Sequence, residues 1–509
     1  MRVKLTAEQK SFKNIAATVP TWCAEIASRS VFRDRRHNAR QAKILMAKGS
    51  NSREFTPMVS LTRSDAQAMY RFWDSPNVDE KAILSGLFAL TGEHIASTDG
   101  PVLVLHDTTE LSFNRDRETW DGTTTRGSTA KRTVDGKYPT YTACAIEMHS
   151  ALAVTSDGLP LGLLAATFWT RKKFKGNASL ERSNTSTRLP AGKKESVRWP
   201  ENVRQATESF DDPARCVHVA DREADNYAFF HEAVACGSNF LVRTKVDRRT
   251  KDDVTVSEFM ADAPVRILHK VQAGDANGRT RTAVLEIRYR KTEIVPPATE
   301  RGKYPPLSVT VIYADERDPP ERHSPISWKL VTNLDVSRPT DAIEKVEWYA
   351  LRWNIETFHK VLKSGCKVEK SQLRTARRLT NLIATDCIIA WRIFWLSRLN
   401  RATPDAAPET ALTDEEIHYL DVAVKDEPGR SGDSTISHYI IKIARLGGYL
   451  RNPKVHPPGI IVMWRGIYRL YYNLEGATNM ETGRRRRRKP HARSRRGSAG
   501  AARNPKRCA

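Results

Sequence analysis

The stretch that decides the fold is residues 216–243, CVHVADREADNYAFFHEAVACGSNFLVR. It opens with a short apolar run typical of a buried strand, continues with a helical pattern from Asn226 to Gly237, and ends with a second apolar run, NFLVR. A strand, a helix and a strand in this order predict a mixed α/β domain. Asp221 directly follows the first strand, and strand ends in α/β domains are the usual place for ligands and metals.

A second aspartate has a similar setting upstream. Asp107 directly follows the apolar run PVLVLH, and the segments TACAIEM, ALAVTS and LGLLAATFW after it also read as strands. For either aspartate alone, capping of the next element is at least as good an interpretation as a role in a site. Their equivalent positions favour a shared site, and both interpretations stay open at this point.

Patterns on either side of these strands divide the chain into five regions. The predicted layout is a helical N-terminal domain (1–98), an α/β core (99–244 and 333–400), an all-β insertion in that core (245–332), a helical C-terminal domain (401–480) and a basic disordered tail (481–509). The tail carries many charges and too few apolar residues to fold alone.

The charge balance predicts an acidic partner. Lys and Arg number 83 against 59 Asp and Glu, a net charge of +24, and half of that excess lies in residues 484–509. Because the rest of the chain is also basic, a nucleic-acid partner is favoured with or without the tail. Seven scattered cysteines without metal-site spacing and an N-terminus without an apolar signal predict a cytoplasmic protein with free thiols that does not associate with membranes.

A third carboxylate lies on a long helix predicted from about residue 339 to 363. At about 100° per residue, six residues share one face of this helix, and the opposite face is apolar. The six are Tyr349, Arg352, Trp353, Glu356, Lys360 and Lys363. A solvated face with ion pairs four residues apart is the alternative interpretation, but two aromatic side chains favour a surface that stacks on bases. Three carboxylates beside cations and aromatics fit a phosphodiester site with two divalent ions about 4 Å apart.

The same helix carries a family resemblance. Tyr349, Arg352, Glu356 and Lys363 reproduce the Y-x2-R-x3-E-x6-K signature of the DDE transposases of the bacterial insertion-sequence-four family, which includes the cut-and-paste transposase of transposon five. The segments HDTTELSF and VADREADNYAFF resemble the two aspartate strands of that family, and IARLGGYL resembles its C-terminal helical domain. The resemblance extends from about residue 20 to 476.

This resemblance implies a ribonuclease-H-like catalytic core in which Asp107, Asp221 and Glu356 are the catalytic residues and hold two Mg²⁺ ions, which Mn²⁺ can replace. It also implies DNA contacts, which are assigned to Arg36, Arg40, Arg243, Trp328, Tyr349, Arg352, Trp353, Lys360 and Lys363. Lys360 is included because of its place on the helix face, and Trp353 because it would support the same flipped base as Trp328. Trp328 is expected to stack on a base flipped out of a DNA hairpin, with a core position in the strand ISWKLVT as the alternative. Arg33, Arg36 and Arg40 are spaced as one basic edge of a helix, for which a charged surface without function is the alternative.

The function that the resemblance implies is cut-and-paste DNA transposition in a bacterial cytoplasm. A homodimer would bind terminal inverted repeats through the N-terminal domain, nick them, form and reopen a hairpin, and transfer the 3′ ends to target DNA. Two alternatives remain. The protein could be a nuclease that cleaves without joining, or a catalytically inactive or inhibitory relative that only binds DNA.

Overall fold

The structure is a computed structural model that describes residues 21–51, 60, 62–113, 125–128, 140–170, 198–274, 280–320, 324–425, 434–451, 453 and 457–488. Within these residues the protein has a mixed α/β fold, which confirms the predicted fold class. Its centre is one large mixed sheet with helices packed around it. The finer prediction of a ribonuclease-H-like core stays a prediction.

The elements are numbered in chain order over the described residues. The strands are β1 (Val102–Phe113), β2 (Thr125–Ser128), β3 (Thr140–Thr155), β4 (Pro160–Trp169), β5 (Cys216–Ala220), β6 (Asn239–Arg243), β7 (Ile267–Gly274), β8 (Thr280–Ile294), β9 (Leu307–Glu316) and β10 (Ser327–Thr332). The helices are α1 (Thr21–Arg29), α2 (Arg36–Asn51), α3 (Arg63–Asp74), α4 (Glu80–Ala96), α5 (Arg198–Thr207), α6 (Tyr227–Ala235), α7 (Val256–Ala261), α8 (Pro339–Ala350), α9 (Trp353–Lys360), α10 (Ala376–Ala402), α11 (Asp414–Ala423), α12 (Ile436–Leu446) and α13 (Ile460–Arg488).

The strand order in the sheet is β2, β3, β1, β5, β6, β10, β9, β8, β7, and β4 pairs with β3 on the side. β1, β5 and β6 run parallel, whereas β3 and β10 flank them in the antiparallel direction. β5 and β6 are short, mostly apolar and largely buried, as expected for parallel strands in the interior of a sheet. The strands of the predicted insertion therefore extend the central sheet through the β6–β10 pair.

Two predictions about these strands need correction. β1 does not end before Asp107 but continues to Phe113, because β3 remains hydrogen-bonded to it over that whole length. The segment 245–332 is not all-β, since it contains the helix α7. Thr255 and Glu258 form a capping box at the start of α7, and this reciprocal pair satisfies two backbone donors there.

The predicted single helix from 339 to 363 is also wrong. Asp341 accepts the backbone N–H of Arg338 at the start of α8, but this helix ends at Ala350 and α9 begins at Trp353. Between the two helices, the N–H groups of Arg352 and Asn354 bond to the carbonyls three residues before them instead of four. This tighter turn rotates α9 relative to the face that a regular helix would present.

The helical regions share their core with the sheet. One buried cluster includes Trp22 of α1, Leu103 of β1 and Trp464 of α13. Near the C-terminus, α12 and α13 cross so closely that a side chain at Gly466 would collide with the carbonyl of Ile443. The regions predicted as N-terminal domain, core and C-terminal domain therefore pack on one another.

The long helix α10 lies in the middle of this core. By length and composition it is apolar enough to cross a membrane, but 89% of its most apolar window is buried inside the protein, as expected for a core helix. Asp386 of α10 forms an ion pair with Lys48 of α2 (Nζ–Oδ1 3.2 Å), and both side chains are almost fully buried. This ion pair links α2, one of the N-terminal helices, to α10 in the core.

The last helix extends further than the sequence suggests. α13 continues to Arg488, so residues 481–488 of the predicted disordered tail are helical. Arginine has a high helix propensity, which accounts for this extension. Residues 489–509 lie outside the described residues, and their disorder stays a prediction.

Candidate active site

The two aspartates lie beside each other on neighbouring strands. The parallel ladder of β1 and β5 ends at the pair His106 and Ala220, and Asp107 is the next residue of β1 while Asp221 directly follows β5. Neighbouring strands are about 4.8 Å apart, so both carboxylates start from the same edge of the parallel ladder. The parallel pairing of β1 ends at this point, and the Asp107 side chain is 23% exposed.

Asp221 does not cap the element that follows it. It occupies the N-cap position of the short turn Arg222–Ala224, but its side chain makes no capping hydrogen bond. The Tyr349 hydroxyl instead donates to its Oδ1 at 3.2 Å, and Arg243 Nη1 lies 3.8 Å from the same oxygen. Burial and the charge of Asp221 raise the pKa of Tyr349 to about 12, so the phenol stays protonated and remains a donor.

Glu356, the third acid, is paired with Arg352. Arg352 Nη2 donates to Glu356 Oε1 at 2.7 Å, and the arginine side chain is 6% exposed while that of the glutamate is 37% exposed. The guanidinium lies 5.2 Å from the Trp353 ring and is also attracted by the charge of Asp221. Arg352 is therefore a buried cation between two of the acids.

The predicted polar face is thus only partly exposed. Tyr349 and Arg352 are buried against the sheet, whereas Trp353 is 59% exposed and Lys360 is also exposed. Lys363 is half-buried in a π-helical turn that follows α9. The prediction that all six residues form one outward face is wrong, because Tyr349 and Arg352 are buried near Asp221.

Trp328 and Arg243 belong to the same group of side chains. The rings of Trp328 and Tyr349 meet edge to face with their centroids 5.2 Å apart. Arg243 Nη2 donates to the backbone carbonyl of Ser327 at 3.2 Å. Trp328 is half-buried.

Sequence reasoning missed His359. This buried histidine lies one turn after Glu356, and its Nδ1 is 3.4 Å from Asp107 Oδ2. Its Nε2 is 2.8 Å from the hydroxyl of Ser150, a fully buried residue of β3. On a helix of about 100° per residue, His359 falls between the polar and apolar faces, and this border position is the signal that could have revealed it.

A row of three buried histidines was also missed. His218, His106 and His149 lie side by side on β5, β1 and β3, with 2.9 Å and 3.3 Å between their facing nitrogens. Burial lowers the pKa of His149 and of His218 to about 3, so these rings are neutral. Since strand residues alternate between faces, His106 and Asp107 point to opposite sides of the sheet. Polar residues inside otherwise apolar strands were the available signal.

The N-terminal basic residues lie elsewhere. Arg36 begins α2, its side chain is 88% exposed, and its Nη2 is 2.6 Å from Asp34 Oδ2. Arg40 is half-buried on the same helix, which packs mainly on α1 and α13. Arg33 precedes the helix, so the predicted helical edge of three arginines is wrong for Arg33.

The carboxylates of Asp107, Asp221 and Glu356 are chemically suited to a hard divalent cation, because carboxylate oxygens are the ligands that Mg²⁺ prefers. Their arrangement is incomplete. Glu356 is engaged by Arg352, and within the part of the chain that the structure describes no three His, Cys, Asp or Glu side chains are arranged to hold a metal. Asp107 and Asp221 are positioned as neighbours, whereas one carboxylate oxygen of Glu356 is engaged by Arg352.

Comparison with known proteins points to the same region. Residues 187–392 are similar to the family described as the transposase DDE domain. This span contains Asp221, Glu356 and the helices α8 and α9, whereas Asp107 lies before it. Among solved structures, a cryo-EM structure of a piggyBac transposase synaptic complex with hairpin DNA aligns with 94% of this chain and 80% of that chain, at 9% identity and a TM-score of 0.33. That structural similarity is too low to support a conclusion.

Proposed function

We propose that this protein is a DDE transposase of the insertion-sequence-four family that carries out cut-and-paste transposition. The observation that carries the proposal is the gathering of three acids around α8 and α9. Glu356 lies on α9, Asp107 contacts His359 of the same helix, and Asp221 accepts a hydrogen bond from Tyr349 at the end of α8. The similarity of residues 187–392 to a transposase DDE domain supports it.

In this proposal each group has a role in phosphodiester chemistry. Asp107, Asp221 and Glu356 would hold two Mg²⁺ ions, and such ions would supply activation of the attacking oxygen and stabilisation of the leaving oxygen. The cations Arg243, Arg352, Lys360 and Lys363 hold phosphates, since phosphate contacts position the DNA. Tyr349 orients Asp221 and contacts a phosphate near the cleaved end.

The proposed reaction has four steps at one site. Water attacks the phosphodiester at the transposon end and frees its 3′ hydroxyl, which attacks the opposite strand, forms a hairpin and displaces the 3′ hydroxyl of the flanking DNA. Water then cleaves the hairpin phosphodiester and frees the 3′ hydroxyl again, and this hydroxyl attacks a target phosphodiester and displaces a 3′ hydroxyl of the target strand. In the proposed assembly Arg36 and Arg40 contact the ends, the C-terminal helices pair two copies of the chain, and Trp353 supports the flipped base.

The reaction class can be tested with the full chain and DNA that flanks its gene. With Mg²⁺ we expect cleaved ends and then products joined to a target plasmid, and with EDTA neither. Cleavage without joined products would favour a nuclease instead. Binding without any cleavage would favour an inactive relative.

Trp328→Ala should slow hairpin formation about tenfold or more while changing the first nick little, because stacking on a flipped base is worth ~1–3 kcal/mol. Rates of the two steps can be measured separately with end-labelled substrates. Trp328→Phe is the matched control, since it keeps an aromatic ring against Tyr349. Equal losses in both steps would mean that Trp328 only packs against Tyr349.

A further inference from the structure

His359 connects the first acid to the helix that carries the third. Its ring contacts the carboxylate of Asp107 on one side and the hydroxyl of Ser150 on the other. Resting on the proposed function, we infer that His359 is a positioning residue that sets the orientation of the Asp107 carboxylate for metal binding. Glu356 is on the same face of α9 three residues earlier, so one helix positions both acids.

The strand pairing explains why one imidazole can reach both partners. Asp107 and Ser150 are directly opposite each other on the antiparallel strands β1 and β3. Cross-strand neighbours point to the same side of a sheet and have Cβ atoms about 5 Å apart. His359 approaches from that side and lies across the pair, where it is 5% exposed.

The neighbours of the ring determine which nitrogen donates. An ionised carboxylate only accepts hydrogen bonds, whereas a serine hydroxyl both donates and accepts. Nδ1 faces Asp107 and therefore carries a proton, while Nε2 can accept the hydroxyl proton of Ser150. The 3.4 Å separation of Nδ1 and Oδ2 is long for a hydrogen bond, as is common at catalytic sites without substrate.

The contact of His359 with Asp107 matters because the aspartate side chain can rotate about two bonds. A partner that holds one oxygen fixes the direction of the other, and loss of such a partner from a metal-ligating carboxylate typically costs 10–100-fold in metal affinity. His359 would therefore affect metal binding before it affects DNA binding.

Two amide substitutions separate the two contacts of the ring. In His359→Asn the side-chain amide takes the place of Nδ1 and keeps the donor to Asp107. In His359→Gln the longer side chain puts its amide near the position of Nε2, so it keeps the Ser150 contact and loses Asp107. Both variants remove the imidazole, so a general packing effect should be similar in the two.

The measurement is Mn²⁺ binding to the full chain by titration calorimetry. We expect His359→Gln to bind Mn²⁺ about 10–100-fold more weakly than wild type, and His359→Asn to stay within about threefold. Raising the Mn²⁺ concentration should restore DNA cleavage by His359→Gln, and thermal melting should be similar for both variants. Equal weakening in both variants, or none in His359→Gln, would overturn the inference. If wild type neither binds Mn²⁺ nor cleaves DNA, the proposed function itself fails.

Discussion

Glu356→Gln should abolish DNA cleavage by this protein while it leaves the affinity for end DNA within about twofold. A neutral amide is a poor ligand for Mg²⁺, and the substitution removes one of the three acids that we assign to the metals. We expect a loss of about a thousandfold or more, which corresponds to ~4 kcal/mol of transition-state stabilisation. Nicking of an end substrate and gel-shift binding would be measured side by side.

Glu347→Gln is the matched control for this experiment. Glu347 is an exposed acid on α8, and it contacts His269 at 3.3 Å instead of the site. This variant should cleave DNA at the wild-type rate. Because Glu356 is also the partner of the buried Arg352, thermal melting must show that Glu356→Gln is folded. Persistent nicking by the folded variant would contradict the assignment of Glu356 as a metal ligand.

The sequence could predict the strands that carry the first two acids because their signal is local. Apolar runs of five or six residues before Asp107 and Asp221 identify two buried strands without reference to the rest of the chain. The sheet then brings the acids together through the register of β1 and β5. Whether each aspartate was a cap could not be decided, since that depends on where Tyr349 and Arg243 lie in three dimensions.

The environment of the third acid was not predictable in the same way. A helical wheel assumes a continuous helix, and nothing local in residues 349–354 indicates the break after Ala350 or the burial of Tyr349 and Arg352. Burial of the Arg352 guanidinium is tolerated because Glu356 accepts a hydrogen bond from it. Whether this pair forms depends on the folded structure and not on the local sequence. His359 was missed for a related reason, since its partners Asp107 and Ser150 are more than 200 positions away in the chain.

A second large effect is expected far from the acids, at the ion pair of Lys48 and Asp386. Lys48→Met should lower the free energy of unfolding by about 2–3 kcal/mol at pH 7.5, because it leaves a buried carboxylate without its cation and one titrating group changes stability by at most ~1.4 kcal/mol per pH unit. Methionine is similar in length to lysine, so the packing of the side chain is largely kept. Urea unfolding at several pH values is the measurement, with the exposed Lys81→Met as control.

The pH dependence distinguishes loss of charge pairing from loss of packing. Burial raises the pKa of Asp386 from 3.8 to about 6, although Lys48 opposes the shift. Between these two values the folded protein binds a proton that the unfolded chain has released, so the stability contributed by Asp386 falls as the pH rises from about 4 to 6. Without Lys48 the pKa of Asp386 should rise further. The loss in Lys48→Met should then be small at pH 5 and should grow towards pH 8.

A double variant completes the test. Lys48→Met combined with Asp386→Leu removes both charges, and replacing a buried ion pair by apolar side chains is often neutral or stabilising. It should therefore recover most of the stability at pH 7.5 and lose the additional pH dependence. If Lys48→Met is equally destabilised from pH 5 to 8, the stem of Lys48 matters through packing alone. The ion pair of Lys48 and Asp386 would then not be the interaction that stabilises the packing of α2 on α10.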